Sequence, residues 1–340
     1  MKRIKLGIIY GGMSDEHEIS IASANSIIKH LNKEKYKISK IYINKKGTWY
    51  EKNNKIDNIT SYLKNLDIVF PVLHGKYGED GKIQGMLEMI KTPYVGCNVL
   101  ASALAMDKIY AKIIFDNANI KQAKWIYLKK ENKKYIYVDE TFNEKKITLN
   151  NISNIIEDKL KYPVFIKPSN QGSSIGISKV KNKKELKKAL EYASKYDSKI
   201  LIEETIIGKE IECAVLEGKT IIASTPGEII SDEEFYSYNS KYKNNKSKLI
   251  IPANLNKETM NMIKTIAIKA FKAISASDLA RIDFFVNGNE IYINEINTIP
   301  GFTQISMYPK LWEYEGIPFS KLLDKIINIY LNNWYIKCVI

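Results

Sequence analysis

Hydrophobic residues repeat with two periods along this chain, and the order in which the periods change lays out an α/β protein. Residues 4–10 form an apolar run stopped by Gly11-Gly12, as in a buried strand. Ile19, Ala22, Ile27 and Leu31 then recur at helical spacing, behind Ser14 or Asp15 as the capping residue. Residues 36–43 and 49–50 supply more strand around the Lys46-Gly47 turn, and residues 66–73 a second buried strand. Residues 83–90 read as a short helix, 94–96 as the start of a strand, and 99–118 as one long helix leading into a second domain. Beyond it, strands at 125–129, 162–167, 199–204 and 210–216 alternate with helices at 152–160 and 183–196. A hairpin at Glu217-Gly218-Lys219, a strand near 226–230 and a helix at 258–275 follow. Two alternating strands, 279–285 and 291–297, are joined through Asn287-Gly288-Asn289. Residues 304–310 read as a loop, and 319–332 as a closing amphipathic helix. The pattern predicts an α/β protein that opens with a parallel-sheet domain and continues in further α/β units.

Composition narrows the class. At 340 residues with 45% hydrophobic content, the chain has enough material for two or three packed domains. The net charge of +14 comes almost wholly from lysines scattered along the chain. Runs such as residues 181–188 read as a solvated helix face, so no nucleic-acid partner is expected. Cys97, Cys213 and Cys338 are odd in number and lack metal spacing, which fits a reducing cytoplasm. Residues 6–10 are too short for a signal sequence, and no apolar run approaches the ~20 residues that span a membrane.

The candidate chemistry gathers at turns. Glu295 and Asn297 are two apart and share a face, and the hairpin brings Asp283 beside them. Two carboxylates and an amide oxygen form a hard donor set suited to Mg²⁺ arriving with a phosphate. The chain has two arginines against fifty lysines, and Arg281 lies in this hairpin, where its planar fork fits phosphate or carboxylate. Glu16 falls in the first turn of the first helix, as a dipole partner or an anchor for an ammonium group. Residues 74–81, with three glycines, follow a strand's carboxyl end, where open α/β sheets bind ligands, and His74 heads them. Lys167 opens a hydroxyl-rich loop, residues 167–177, of the kind that cradles phosphate. Neither a dinucleotide fingerprint nor a P-loop is present. Glu203 and Glu210 flank a turn able to present backbone to an adenine. Residues 231–247, rich in aromatic and charged residues, have the composition of a lid.

Six segments, in order from residue 11 to residue 301, resemble the D-alanine–D-alanine ligases of the ATP-grasp superfamily. They are Gly11-Gly12-x-Ser14-x-Glu16-x-Glu18-Ile19-Ser20, His74-Gly75-x-x-Gly78-Glu79-Asp80-Gly81, Met106-Asp107-Lys108, Lys167-Pro168 with Gly172-Ser173-Ser174, Arg281-Ile282-Asp283, and Glu295-x-Asn297-Thr298-x-Pro300-Gly301. The resemblance implies three α/β domains, at 1–104, 105–204 and 205–340, with the lid at 231–247. ATP would be gripped between the last two. Lys108, Lys167 and Ser173 would meet its phosphates, and Glu203, Glu204, Ile206 and Glu210 its adenosine. Asp283, Glu295 and Asn297 would hold two Mg²⁺ ions, with Mn²⁺ able to substitute. The first D-alanine would sit near Glu16, linked to Ser173 and Tyr242, with His74 beside it. Arg281 and the Gly301 N–H would hold an oxyanion, and Lys241, Ser306 and the Met307 N–H the second substrate's carboxylate.

The same resemblance implies a cytoplasmic homodimer making peptidoglycan precursors. Close relatives use D-serine or D-lactate as the second substrate. Tyr242 after Lys241, and Met307 after Ser306, favour D-alanine. Residues 70–78, and Glu210-x-x-Cys213-Ala214-Val215-Leu216, also resemble the D-serine branch. Gln304-Ile305 departs from the histidine that many family members carry before the serine. From other classes, an ATP-grasp carbonyl activator and a non-catalytic ATP-binding protein remain as alternatives.

Overall fold

The computed structural model describes residues 2–230 and 248–337. Strand β1 (Ile4–Gly11) runs parallel to β2 (Tyr36–Ile43) and β5 (Ile68–Val72). With β3 (Trp49–Glu51) and β4 (Asn54–Lys55) they form a sheet in the order β4-β3-β2-β1-β5. Helix α1 (His17–His30) packs Ile19, Ala24 and Ile27 onto it. Gly11 makes the turn into α1 possible. Its φ is +90°, and a Cβ there would lie 2.2 Å from the Ile43 carbonyl oxygen. Helices α2 (Ile59–Lys64) and α3 (Lys82–Met89) flank β5 in sequence. Residues 94–96 add only an isolated bridge, Tyr94 to Val69, in place of the expected strand.

The expected long helix at 99–118 is two helices, α4 (Val99–Met106) and α5 (Lys108–Asn117). Asp107, with ψ at 97°, ends one and caps the other by accepting from the Ile109 and Tyr110 N–H groups.

A second sheet has the order β10-β9-β11-β6-β7-β8. Its strands are β6 (Trp125–Glu131), β7 (Lys134–Val138), β8 (Glu144–Ile147), β9 (Val164–Pro168), β10 (Ser178–Val180) and β11 (Lys199–Glu204). Alternation sorts its two faces. Ile166, Ile200 and Ile202 pack against α6 (Leu149–Lys159) and α7 (Lys183–Ala193) in one core. Phe165, Lys167 and Glu203 point the other way, into a cleft.

The third sheet, β15-β14-β12-β16-β17 with β13 beside β12, faces that cleft. It comprises β12 (Lys209–Glu217), β13 (Ile221–Ala223), β14 (Gly227–Ile230), β15 (Lys248–Ile250), β16 (Leu279–Asn287) and β17 (Glu290–Asn297). Helix α8 (Lys257–Ala273) covers one of its faces through Ile263, Ala267 and Phe271. The expected loop at 304–310 is instead the entry to α9 (Met307–Tyr314), followed by α10 (Phe319–Lys337). These two helices share a core with the first sheet, in which Phe302 is fully buried against Phe70, Tyr308 and Phe319. The first and third sheets therefore form one mass, while the second has a core of its own. No helix among the described residues is long and apolar enough to cross a membrane. Cys97 and Cys213 are buried.

Candidate active site

The β16–β17 hairpin aligns Arg281 with Asn297 and Asp283 with Glu295 across the strands. A bulge between Asp283 and Phe284 then shifts the register. Asp283 accepts from Arg281 Nε at 2.7 Å and Nη2 at 2.8 Å, a two-pronged ion pair. Asn297 Nδ2 donates to the same carboxylate at 3.0 Å. On neighbouring β12, Glu212 Oε2 lies 3.1 Å from Arg281 Nε, and Lys108 Nζ stands 3.7 Å from Glu295 Oε2.

The metal reading can be tested on these donors. Among the described residues no three or more His, Cys, Asp or Glu side chains gather closely enough to grip an ion unaided. Asn297 turns its nitrogen to Asp283, leaving Oδ1 as the acceptor, so the set is two carboxylates and one amide oxygen. That set fits a hard divalent cation whose remaining ligands are phosphate oxygens and water. It does not fit a soft metal.

Between the second and third sheets lies a cleft of about 440 Å³. Phe165, Ile177, Ile206 and Phe284 supply apolar walls and Lys108, Lys167 and Lys179 positive charge. Lys108 opens α5, donating its Nζ to the Gln171 carbonyl at 2.8 Å and its N–H to the Ser169 carbonyl at 3.1 Å. Asp107 ties the same helix end to the phosphate-type loop through Ser169 Oγ at 2.5 Å and through Lys199.

Buried Glu203 is held by Lys112 at 2.7 Å and Lys167 at 2.5 Å. Burial alone would raise its pKa, but the two ammonium groups outweigh it and hold the carboxyl at about 2. Any amino group of a base must therefore compete with Lys112 or Lys167 for these oxygens. Sequence reasoning missed Lys112. Its signal is a lysine on the buried face of α5, beside Ile109 and Phe115. Glu204 lines the cleft and accepts the Lys124 N–H at 2.7 Å, and Ile206 and Glu210 line it further along.

A smaller cavity of about 80 Å³ adjoins the cleft, sharing Lys108, Gly172, Ser173 and Glu295 with it. Glu16 occupies the cap position of α1 but makes no side-chain capping bond, in place of the Ser14 or Asp15 cap expected. Its carboxylate accepts instead from the Ser173 hydroxyl. Glycines leave room for this carboxylate: a Cβ on Gly75 or Gly172 would come within 2.4 or 2.8 Å of Glu16 Oε2 and push it aside. Ser173 and Ser174 both have positive φ, 46° and 60°, the kind of strain that collects in ligand-holding loops.

His74 lines this cavity with both ring nitrogens engaged. Nδ1–H donates to the Ile299 carbonyl at 3.1 Å, and Nε2 accepts from Ser23 at 3.0 Å. Burial pushes its pKa down to about 4, so the ring is neutral. Glu79, a second residue to which sequence reasoning gave no role, accepts the Gly75 N–H at 2.7 Å and the Ile299 N–H at 3.3 Å. Burial and the nearby Glu16 charge raise its carboxyl to about 8.

Gly301 is pressed close to Ser306, whose Oγ would lie 2.7 Å from a Cβ there. Ser306 Oγ accepts the Thr303 N–H at 2.9 Å and precedes α9, whose first residue, Met307, buries its side chain against Gly227. Lys241 and Tyr242 lie outside the described residues.

Family models described as D-ala D-ala ligase N-terminus and C-terminus match residues 5–62 and 52–97, and residues 114–328, respectively. The chain is 46% identical to the D-alanine–D-alanine ligase of Acetivibrio thermocellus, covering 96% of each chain. It is 45% identical to D-alanine–D-alanine ligase B of Clostridium tetani, covering 98% of this chain and 95% of that one. Among solved structures, the D-alanine–D-alanine ligase from Coxiella burnetii superposes with a TM-score of 0.84 at 33% identity, covering 100% of this chain and 97% of that one. The VanG D-Ala:D-Ser ligase from Enterococcus faecalis gives 0.83 at 36%, covering 97% and 100%. The Bacillus anthracis D-alanine–D-alanine ligase complexed with ATP gives 0.79 at 32%, covering 98% and 99%.

Proposed function

Because this chain belongs to the D-ala D-ala ligase family, we propose that it joins two D-alanines to D-alanyl-D-alanine, using ATP, for peptidoglycan synthesis in the cytoplasm. One observation carries the assignment of roles. Glu16, Ser173, Arg281 and Gly301, from distant parts of the chain, line one small cavity that shares a wall with the larger cleft. A carboxylate in the first can thus meet a phosphate in the second.

ATP lies between domains 105–204 and 205–340, with its adenine among the apolar walls near Ile206 and its ribose toward Glu210. Its phosphates face Lys108, Lys167 and the Ser173 loop. Asp283, Glu295 and Asn297 would hold two Mg²⁺ ions, or Mn²⁺ in their place, and these would neutralise charge on the phosphates. Glu16 holds the ammonium of the first D-alanine, with Ser173 fixing the glutamate and His74 shaping the pocket. The substrate carboxylate then attacks the γ-phosphorus, ADP leaves, and a D-alanyl phosphate forms. Phosphoryl transfer asks the protein mainly for positioning and charge neutralisation, which the lysines and Arg281 supply. The second D-alanine enters with its carboxylate toward Ser306 and the Met307 N–H at the start of α9. Its amine attacks the acyl carbon, and the resulting oxyanion rests on Arg281 and the Gly301 N–H. One well-placed donor of this kind is worth ~3–4 kcal/mol of barrier. Collapse expels phosphate and leaves the dipeptide. Lys241 and Tyr242 complete the second subsite and the Glu16–Ser173 network. The working unit is a homodimer.

The 36% identity to a D-Ala:D-Ser ligase, with the sequence likeness at 70–78 and 210–216, favours a second reading in which D-serine is the second substrate. Product mass decides between them. Purified protein is incubated with ATP, Mg²⁺ and equal D-alanine, D-serine and D-lactate. A dominant D-alanyl-D-alanine peak matching the ADP formed is expected. A dominant mixed product overturns the second-subsite assignment, and ATP binding without any ligation overturns the ligase reading.

A further inference from the structure

The residues that follow β17 are held by the first sheet's loops and not by their own hairpin. His74 Nδ1–H donates to the Ile299 carbonyl, and Glu79 Oε1 accepts the N–H of the same residue. Both polar groups of one residue's backbone are gripped from across the molecule. Glu79 Oε2 accepts the Gly75 N–H at 2.7 Å, which fixes the carboxylate relative to His74. Ser23 closes the arrangement, bonding His74 Nε2 at 3.0 Å and accepting the Phe302 N–H at 3.4 Å. Gly78 lets the loop fold tightly enough to bring Glu79 back, since a Cβ there would lie 2.0 Å from the Leu73 carbonyl oxygen. Pro300 has no N–H, so the Gly301 amide is the only one between the gripped Ile299 and Phe302 amides. Phe302 anchors the far side in the shared core.

We propose that Glu79 is a positioning residue. With His74 and Ser23 it clamps the backbone at Ile299 and Phe302 and so aims the intervening Gly301 N–H at the acyl carbon's oxygen. The proposal rests on the ligase reading above, and it separates the two halves of that reaction. Formation of D-alanyl phosphate relies on Glu16, the lysines and the nucleotide. His74 and Glu79 border the same cavity, but their bonds to Ile299 hold backbone and neither Glu16 nor the nucleotide. Attack by the second amine needs the oxyanion donor. A loosened clamp therefore lets the acyl phosphate form but slows its capture. Water then cleaves it to D-alanine and phosphate, with ADP already formed.

The test measures initial rates of ADP and of dipeptide together, on full-length wild type, Glu79→Gln and Ser23→Ala. Glutamine keeps one acceptor oxygen but opposes the other N–H with its amide nitrogen. Wild type is expected to give about one dipeptide per ADP. Removing one oxyanion donor outright costs ~10²–10³-fold in rate, so a displaced one should slow ligation roughly tenfold. Glu79→Gln should then give measurably less than one dipeptide per ADP, falling toward a half, with KM for ATP unchanged. Ser23→Ala should shift the ratio the same way by a smaller factor, and it carries the test should Glu79→Gln be insoluble. A ratio near one in a folded variant, whatever the loss of overall rate, overturns the clamp. A wild type that releases ADP without dipeptide overturns both the clamp and the ligase reading.

Discussion

Burying the Glu203 carboxylate costs several kcal/mol unless its oxygens find cations, and Lys112 and Lys167 supply one each. Replacing Glu203 by Ala leaves two buried ammonium groups facing each other, and breaking such a pair costs ~3–5 kcal/mol. The urea midpoint of Glu203→Ala should fall accordingly. An unchanged midpoint would show that Lys112 and Lys167 find other partners. Arg281 carries a different load, because its fork ties down Asp283 through two bonds. Arg281→Ala should fold and lose nearly all turnover. Arg281→Lys, a point charge without the fork, should recover little of it. Wild-type turnover in either variant would sink the oxyanion assignment.

His74 yields a pH prediction. Its folded pKa of about 4 lies below the ~6.5 of an unfolded histidine. Between those values the unfolded chain binds more protons, so stability falls as pH drops through this window. Glu79, raised to about 8, acts oppositely above ~4.3, with stability falling as pH rises. The comparison that isolates His74 is the urea midpoint of His74→Asn against wild type from pH 4 to 7. The variant should lose less stability on acidification, and parallel curves would refute the neutral buried ring.

Elements were legible where periodicity is local. Two-residue alternation in 279–285 and 291–297 predicts which side chains share a face, and Asp283 does pair with Glu295. The break at Asp107 was not legible, because apolar residues keep a helical period straight across it. What breaks the helix is remote: Asp107 answers Ser169 and Lys199, both more than sixty residues away. Helix α9 was hidden by Pro309, which reads as a breaker but sits in the first turn, where its missing N–H has no partner to lose. Strand β8 is four residues long with two lysines and has no clear pattern, and β7 is only five residues, Lys134 followed by a run without alternation. Glu79 was visible only as part of a motif, since its role depends on Ile299 arriving from 220 residues away. Asp107→Ala tests the remote break. Loss of a cap costs ~1 kcal/mol, and the stranded Lys199 adds to it. A lower melting temperature and a raised KM for ATP are expected, because Lys108 is the next residue. A KM unchanged from wild type would mean that Lys108 is placed by its own bonds to Gln171 and Ser169.

At the scale of the molecule, the first and third sheets share a core while the second has its own. The second sheet meets the rest through α5, whose Ile109 packs on Tyr127, Val138 and Leu201 while its Ala111 and Phe115 join the third sheet's core. It also meets them through contacts around the cleft: Lys108 of α5 to Glu295, Ser173 to Glu16, and the bridge of Gln122 to Ile293. That junction is smaller than the core shared by the first and third sheets, so the second sheet should open against the other two more readily than those two part from each other. A nucleotide in the cleft touches both sides and resists that opening by mass action, ~2.7 kcal/mol at a hundredfold excess over Kd. In the proposed reading D-alanine, by contrast, would be held by Glu16 on the first unit, which Ser173 on the second fixes. Amide exchange should then respond in two stages. ATP with Mg²⁺ should protect residues 167–177, 204–210 and the β16–β17 hairpin, leaving 74–81 and 299–302 as they were. D-Alanine added on top should protect those last two segments. If ATP alone protects 74–81 as strongly as both ligands together, the three sheets close as one body, and the separation of the two cavities has no consequence for the order of binding.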